Sequence, residues 1–385
     1  MNSWIEVSEE RLAANYRLVA DAVGAETDVL AVVKANAYGH GAEACALALA
    51  KGGATWFGVA TAGEGVRVRR ALDAAGYADA EILVMCGLMP EDVAAIVEFG
   101  LTPVVWTPGQ VSWLAGTGAR VHVELETGMG RQGVRPGAAL DGLLDASGSA
   151  GLVVDGVLTH FCAAEIAQSG RTREQQEKFE AAIAQVGARG LAPRWVHAGS
   201  TSSVDNPAQA WPWLVAVAKT VGARAMVRCG IALYGYCMAI EGGDAVPARI
   251  RAKLKPVMTW KTRVLDVRDV SAGETVGYNA TFTAPGSMRL ALLPVGYSDG
   301  LRRELGSTNA KAGGWVMVKG RDGSEKRATI VGRISMNLTV VDVTEIDGVQ
   351  VGDEVVLLGD GVTADDHARL AGTISYEILC GVRAE

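Results

Sequence analysis

The run VLAVVKANAYGHG at 29–41 places Lys34 directly after an uncharged apolar segment, with Tyr38 and His40 close behind. An amine delivered at the end of an apolar strand is suited to Schiff-base chemistry with a carbonyl carbon. A lysine whose stem merely covers apolar surface gives the same local pattern. HAGSTSS at 197–203 and RCGIALYG at 228–235 combine small residues with hydroxyls, a composition that suits a phosphate held by backbone N–H groups and equally suits a helix cap. Tyr278, in VGYNATF with its alternating strand pattern, and Arg228 in VRCG are residue types that move or hold protons, although packing and ion pairing are the commoner uses of each. His40, His122, His197 and His367 fit no metal-binding spacing and read as structural. Cys45, Cys86, Cys162, Cys229, Cys237 and Cys380 stand singly with no C-x-x-C pair, which predicts reduced thiols and no zinc site.

These residues need a scaffold, and the chain offers one. Short apolar runs recur at 29–33, 56–60, 82–85, 103–106, 121–125, 153–158, 194–198 and 227–233. Between them lie Ala-rich, charged stretches with helical spacing, such as TREQQEKFEAAIAQVGA. Eight strand-then-helix units predict an eight-stranded α/β barrel over residues 1–245, and in such a barrel the C-terminal strand ends carry the chemistry. Lys34 would emerge at that end. Beyond about Arg251 the runs come at shorter intervals with Gly, Asp and Ser between them, which predicts a mostly β domain over 246–385. IEGGDAVPARIRAK at 240–253 reads as a linker, and residues 1–8 are candidates to pair with the second domain.

Composition narrows the function classes. The 385 residues are 49% hydrophobic and 21% charged, so disorder is excluded, and a net charge of −7 without a Lys/Arg block argues against nucleic acid. The longest apolar stretch, near Trp211–Val221, is interrupted by Pro212 and Lys219, and MNSWIEVSEERL lacks the features of a signal peptide. No membrane partner and a cytoplasmic location are expected.

VVKANAYGHG closely resembles the pyridoxal-phosphate lysine motif of the alanine racemases. The resemblance continues in that family's order through GMGRQGV at 128–134, THF at 159–161, HAGSTSS, MVRCGIALYGY at 226–236, VGYNATFTA at 276–284, PVGYSDG at 294–300, VGRISMN at 331–337 and TISYEIL at 373–379. It implies an α/β barrel followed by a β domain, pyridoxal 5'-phosphate as cofactor, and interconversion of L- and D-alanine for peptidoglycan supply. Lys34 would hold the cofactor and act as base on one face of the substrate. Tyr278, from a second subunit of a homodimer, would act on the other. The resemblance further assigns His160 and Arg228 to the cofactor ring and its surroundings. It places Tyr38, Ser200, Thr201, Gly230, Ile231 and Tyr376 at the phosphate, Arg131 at the substrate carboxylate or the cofactor's phenolic oxygen, and Tyr297, Met336 and Asn337 at the entrance.

This chain departs from the family pattern at three places. Glu124 stands where many members have a carbamylated lysine, and would supply negative charge for Arg131 without modification. Asn337 replaces a commoner aspartate, and Ser200-Thr201 replace Asn-Ser. The first two favour a broad-spectrum amino-acid racemase as the alternative. A related pyridoxal-phosphate-dependent decarboxylase and a non-catalytic cofactor-binding barrel fit less well, because VKANAYGHG, GYSDG, YEIL and VGYNATF occur together.

Overall fold

The computed structural model describes residues 2–206, 211–242 and 248–384. They form two compact units. One takes in the N-terminal residues through Ser8, Tyr38–His40 and the chain from Pro256 onward; the other comprises Glu9–Ala37 and Gly41–Lys255.

The larger unit is a closed barrel of eight parallel strands: β2 (Thr27–Val32), β3 (Trp56–Val59), β4 (Glu81–Val84), β5 (Thr102–Val105), β6 (Arg120–Glu124), β7 (Val153–Leu158), β8 (Trp195–His197) and β9 (Arg224–Cys229). Strands covered on both faces need continuous apolar runs rather than alternation, and β3 and β5 are buried at every position. The helices read from periodicity bury the expected stripe: Glu9–Val23 hides Leu12, Tyr16, Val19 and Val23. Its buried Asn15 donates to the carbonyls of Leu233 and Lys255 and accepts from the Lys255 N–H, so no polar atom of its amide is wasted. Thr107 and Gln110 form a reciprocal cap at the start of Pro108–Trp113.

The smaller unit is built on a sheet of eight strands. Strand β1 (Ser3–Val7) pairs antiparallel with β10 (Met258–Arg263), Ile5 opposite Trp260. The sheet continues through β18 (Glu354–Leu358), β15 (Trp315–Lys319), β16 (Glu325–Val331), β17 (Thr339–Asp342), β14 (Met288–Leu293) and β11 (Asp266–Val270). A separate ribbon joins β12 (Thr275–Val276) to β13 (Phe282–Thr283).

Two local readings need correction. The run 227–233 is not one strand: β9 ends at Cys229, and Ile231–Tyr234 form a tight helical turn after Gly230. VGYNATF is not an alternating strand either. Gly277 (φ 77°) and Asn279 (φ 61°) adopt left-handed backbone, which breaks the segment into a turn at Tyr278–Ala280 between β12 and β13. Residues 243–247 of the proposed linker lie outside the described residues. Among the described residues, no helix is long and apolar enough to cross a membrane.

Candidate active site

Because all eight barrel strands run parallel, residues at their C-terminal ends share one rim. Lys34 follows β2, Glu124 ends β6, His160 follows β7, Ser200 and Thr201 follow β8, and Arg228 lies near the end of β9 just before Gly230 and Ile231. Of the predicted site residues, these are gathered on one face by the barrel itself.

Lys34 is half-buried and opens an unusual turn. Ala35, Asn36, Ala37 and Tyr38 all have φ of 53–54°, left-handed backbone that costs non-glycine residues roughly 1–2 kcal/mol each. The surroundings offset this. The Ala37 N–H donates to the Val33 carbonyl (2.9 Å), the Gly41 N–H donates to the Asn36 carbonyl (3.0 Å), and the Asn36 side-chain oxygen accepts from the Ala42 N–H (3.0 Å). Glu64 bridges the N–H groups of Ala35 (2.9 Å) and Ala60 (2.8 Å), tying the turn to the end of β3. A backbone over-determined in this way fixes the direction in which the lysine leaves the strand.

Arg228 is buried in the barrel. Its Nη2 donates to the Thr159 carbonyl (2.8 Å) and lies 3.2 Å from His160 Nδ1, while Nη1 lies 3.3 Å from His197 Nδ1. Among the described residues no carboxylate forms an ion pair with it. Burial lowers its pKa to about 10, an effect that the more distant charge of Glu124 opposes. Burial, together with the positive charges of Arg228, Arg131 and Lys34, lowers the His160 pKa to about 3. His160 is therefore neutral, and since arginine only donates, its Nδ1 must accept and its proton sits on Nε2.

Glu124 is buried and accepts a 2.5 Å hydrogen bond from Gln132 Nε2, which also donates to the Met85 carbonyl (3.1 Å). Burial pushes its pKa up, against the Gln132 hydrogen bond and the charges of Arg228 and Arg131. The structure does not bring Glu124 and Arg131 into an ion pair; Arg131 is exposed, at the end of a turn in which Glu126 accepts from the Gly128 and Gly130 N–H groups. Thr201 Oγ1 accepts from the Ala232 N–H (3.2 Å), linking the segments after β8 and β9, and neither Ser200 nor Gly230 caps its following helical turn with a side chain.

In the smaller unit, Tyr38 and Tyr376 meet edge to face with ring centroids 6.1 Å apart. Asn337 Nδ2 donates to Ser298 Oγ at 2.8 Å. Tyr278, Tyr297 and Met336 are 64%, 44% and 55% exposed, unusual for such large side chains. Gln132, Glu64 and Asn36 were not singled out from sequence, because amide and carboxylate side chains that bond to backbone leave no signature of spacing. Of the structural histidines, His40 Nδ1 faces the Tyr38 carbonyl at 3.1 Å and His367 is buried, whereas His197 touches Arg228.

The donor set fits pyridoxal phosphate on two observations. Arg228 is a buried cation that, among the described residues, contacts only neutral acceptors, suited to an uncharged ring nitrogen, and the helical turns that begin after Ser200 and Gly230 lack a side-chain N-cap, suited to a phosphate. Comparison with known proteins agrees. Residues 7–238 match the family model described as alanine racemase, N-terminal domain, and residues 257–385 match alanine racemase, C-terminal domain. The chain is 36% identical to the alanine racemase of Symbiobacterium thermophilum over 99% of its own length and 94% of that protein's, and 34% identical to that of Syntrophobacter fumaroxidans over 99% and 95%. Among solved structures, the alanine racemase of Clostridium difficile 630 superposes with a TM-score of 0.86 at 25% identity, covering 99% of this chain and 94% of that one. That from Streptomyces coelicolor gives 0.81 at 32%, covering 99% and 96%. With both units matched and the motifs present over nearly the whole length, this chain belongs to the alanine racemase family, the enzymes that interconvert L- and D-alanine.

Proposed function

We propose that this chain binds pyridoxal phosphate at the barrel rim through Lys34 and racemises alanine with two bases, as a homodimer in the cytoplasm that supplies D-alanine for peptidoglycan. The observation that carries the cofactor reading is Arg228, buried beside His160 and His197 and, among the described residues, in no ion pair with a carboxylate. When bound, the cofactor supplies an electron sink that acidifies the substrate's Cα–H bond. Arg228 would hold the ring nitrogen as a donor without surrendering its own proton, which would leave that nitrogen uncharged and limit side reactions. Lys34 moves the proton on one face of Cα. Tyr278 of the partner subunit moves it on the other. Tyr38, Ser200, Thr201, Gly230, Ile231 and Tyr376 hold the phosphate, Arg131 holds the substrate carboxylate, and Tyr297, Met336 and Asn337 narrow the entrance. The exposure of Tyr278, Tyr297 and Met336 supports a second subunit as their cover. Titrating the purified protein with pyridoxal phosphate while recording its absorbance tests the reading: saturable appearance of a visible band is expected, and its absence contradicts it.

Glu124 gives a prediction with opposite signs for activity and stability. A carbamylated lysine needs carbon dioxide, whereas a carboxylate does not, so wild-type activity should be indifferent to added bicarbonate. Glu124→Gln removes the negative charge that faces Arg228 and Arg131, and kcat/KM for alanine should fall by about tenfold. Because burial raises the Glu124 pKa, the folded protein binds its proton more tightly than the unfolded chain does. That contribution is complete below the ordinary carboxylate range and is lost as pH rises through the folded value. At neutral pH, then, Glu124→Gln should melt no lower than wild type. Dependence on bicarbonate, or unchanged kinetics in Glu124→Gln, would count against this role.

A further inference from the structure

A line of polar side chains crosses the barrel interior behind Arg228. His197 Nδ1 lies 3.3 Å from Arg228 Nη1, and His197 Nε2 lies 2.9 Å from His122 Nδ1. Among the described residues His122 Nε2 has no hydrogen-bond partner, and Asp155 Oδ2 stands 3.8 Å from it. Asp155 is held by Arg194 through Nε (2.7 Å) and Nη2 (2.6 Å), and Arg194 reaches Glu81 through Nη1 (3.1 Å) and Nη2 (2.7 Å). Both histidines are completely buried. The space for His122 is made by Gly156 on the neighbouring strand: a Cβ there would come within 2.6 Å of the imidazole ring.

The chemistry of the ends sets the direction of the line. Arginine only donates, so His197 Nδ1 must accept and the neutral ring carries its proton on Nε2. That proton is donated to His122 Nδ1, which leaves the His122 proton on Nε2, facing the carboxylate of Asp155. The opposite order would set the His197 Nδ1–H against a guanidinium N–H at one end and a His122 Nε2 lone pair against a carboxylate at the other. Burial lowers the pKa of both histidines and so favours the neutral ring in each. Burial works against ionisation of Asp155, but the neighbouring His122 and Arg194 outweigh it and hold its pKa below the usual range.

We propose that Asp155 is a positioning residue for the rim site: through His122 and then His197 it polarises a one-way line of hydrogen bonds that holds the Arg228 guanidinium in place as a donor. The carboxylate draws on the His122 proton and makes His122 Nδ1 a better acceptor. His197 Nε2–H is thereby more fully donated, and His197 Nδ1 becomes the stronger acceptor for Arg228. The residues 120–124 and 153–158 of β6 and β7 thus serve the site from inside the barrel as well as at its rim. This inference rests on the assignment of Arg228 to the cofactor ring.

Nitrogen NMR of histidine-labelled full-length protein, with and without pyridoxal phosphate, reads the tautomers directly. His122 and His197 should both be neutral, protonated on Nε2 and not on Nδ1, across the neutral pH range. Either ring protonated on Nδ1 overturns the proposal. Kinetics supply the second test: Asp155→Asn should lower kcat by about tenfold at nearly constant KM and shift the absorption of the bound cofactor, with partial recovery in Asp155→Glu. Glu81→Gln disturbs the same ion cluster without touching the histidines and should stay within about twofold of wild type. An equal loss in Asp155→Asn and Glu81→Gln, or no loss in Asp155→Asn, overturns it. Should Asp155→Asn fail to fold, the wild-type tautomers decide. A wild-type protein without racemase activity would overturn the functional reading, while the tautomers would still report on the line itself.

Discussion

Lys34→Ala should lose racemisation almost entirely, with kcat falling by about three orders of magnitude or more, because one substitution removes both the covalent anchor and one of the two bases. The fold should survive. Among the described residues the Lys34 side chain makes no hydrogen bond to the turn that follows it; that turn is held by backbone groups of Val33, Ala37 and Gly41 together with Asn36 and Glu64. Borohydride reduction of the wild-type protein loaded with pyridoxal phosphate should leave a phosphopyridoxyl mass on the Lys34 peptide, and Lys34→Ala should carry none there. A label on another lysine would contradict the assignment, as would an active Lys34→Ala protein.

Mixing Lys34→Ala with Tyr278→Phe chains should restore activity that neither has alone. Tyr278→Phe removes one hydroxyl, and loss of a proton-transfer group costs about 10²–10⁴-fold. If Lys34 of one subunit works with Tyr278 of its partner, a hybrid carries one site with both lesions and one site with none. About half of the chains assort into hybrids when two equal populations exchange freely, so recovery should approach a quarter of wild-type activity, one intact site in every second dimer. The surface position of Tyr278 on a turn between β12 and β13 motivates the experiment. No recovery despite subunit exchange verified by mass would place both bases in one chain.

The barrel was legible because its strands are buried on both faces: runs such as WFGV and ILV are too short for buried helices and recur between amphipathic stretches. The β domain announced itself through turn residues at short intervals. What sequence could not convey was local backbone conformation. Tyr278 sits in a turn because Gly277 and Asn279 take left-handed φ, and the four left-handed residues after Lys34 include two alanines, which carry no such preference. The rim residues were legible as strand-end chemistry once the motifs were placed in order. Their supports were not. His197 opens the HAGSTSS segment at a strand end, a signal that was present, whereas His122, Asp155 and Arg194 are brought together by the register in which β6 pairs with β7 and β7 with β8. Gln132 replaces Arg131 as the hydrogen-bonding partner of Glu124, a matter of one residue in a tight turn that spacing alone does not resolve.

The most direct test of the account is incubation of the purified, pyridoxal-phosphate-loaded protein with L-alanine in deuterated water, followed by separation of enantiomers and mass analysis, alongside a panel of larger L-amino acids. The account predicts that L-alanine converts to an equal mixture of enantiomers with deuterium at Cα, and that D-alanine reaches the same mixture from the other side. A panel member racemised as fast as alanine would shift the reading to a broad-spectrum racemase. Release of carbon dioxide with formation of an amine, or recovery of L-alanine with neither inversion nor deuterium, would contradict it.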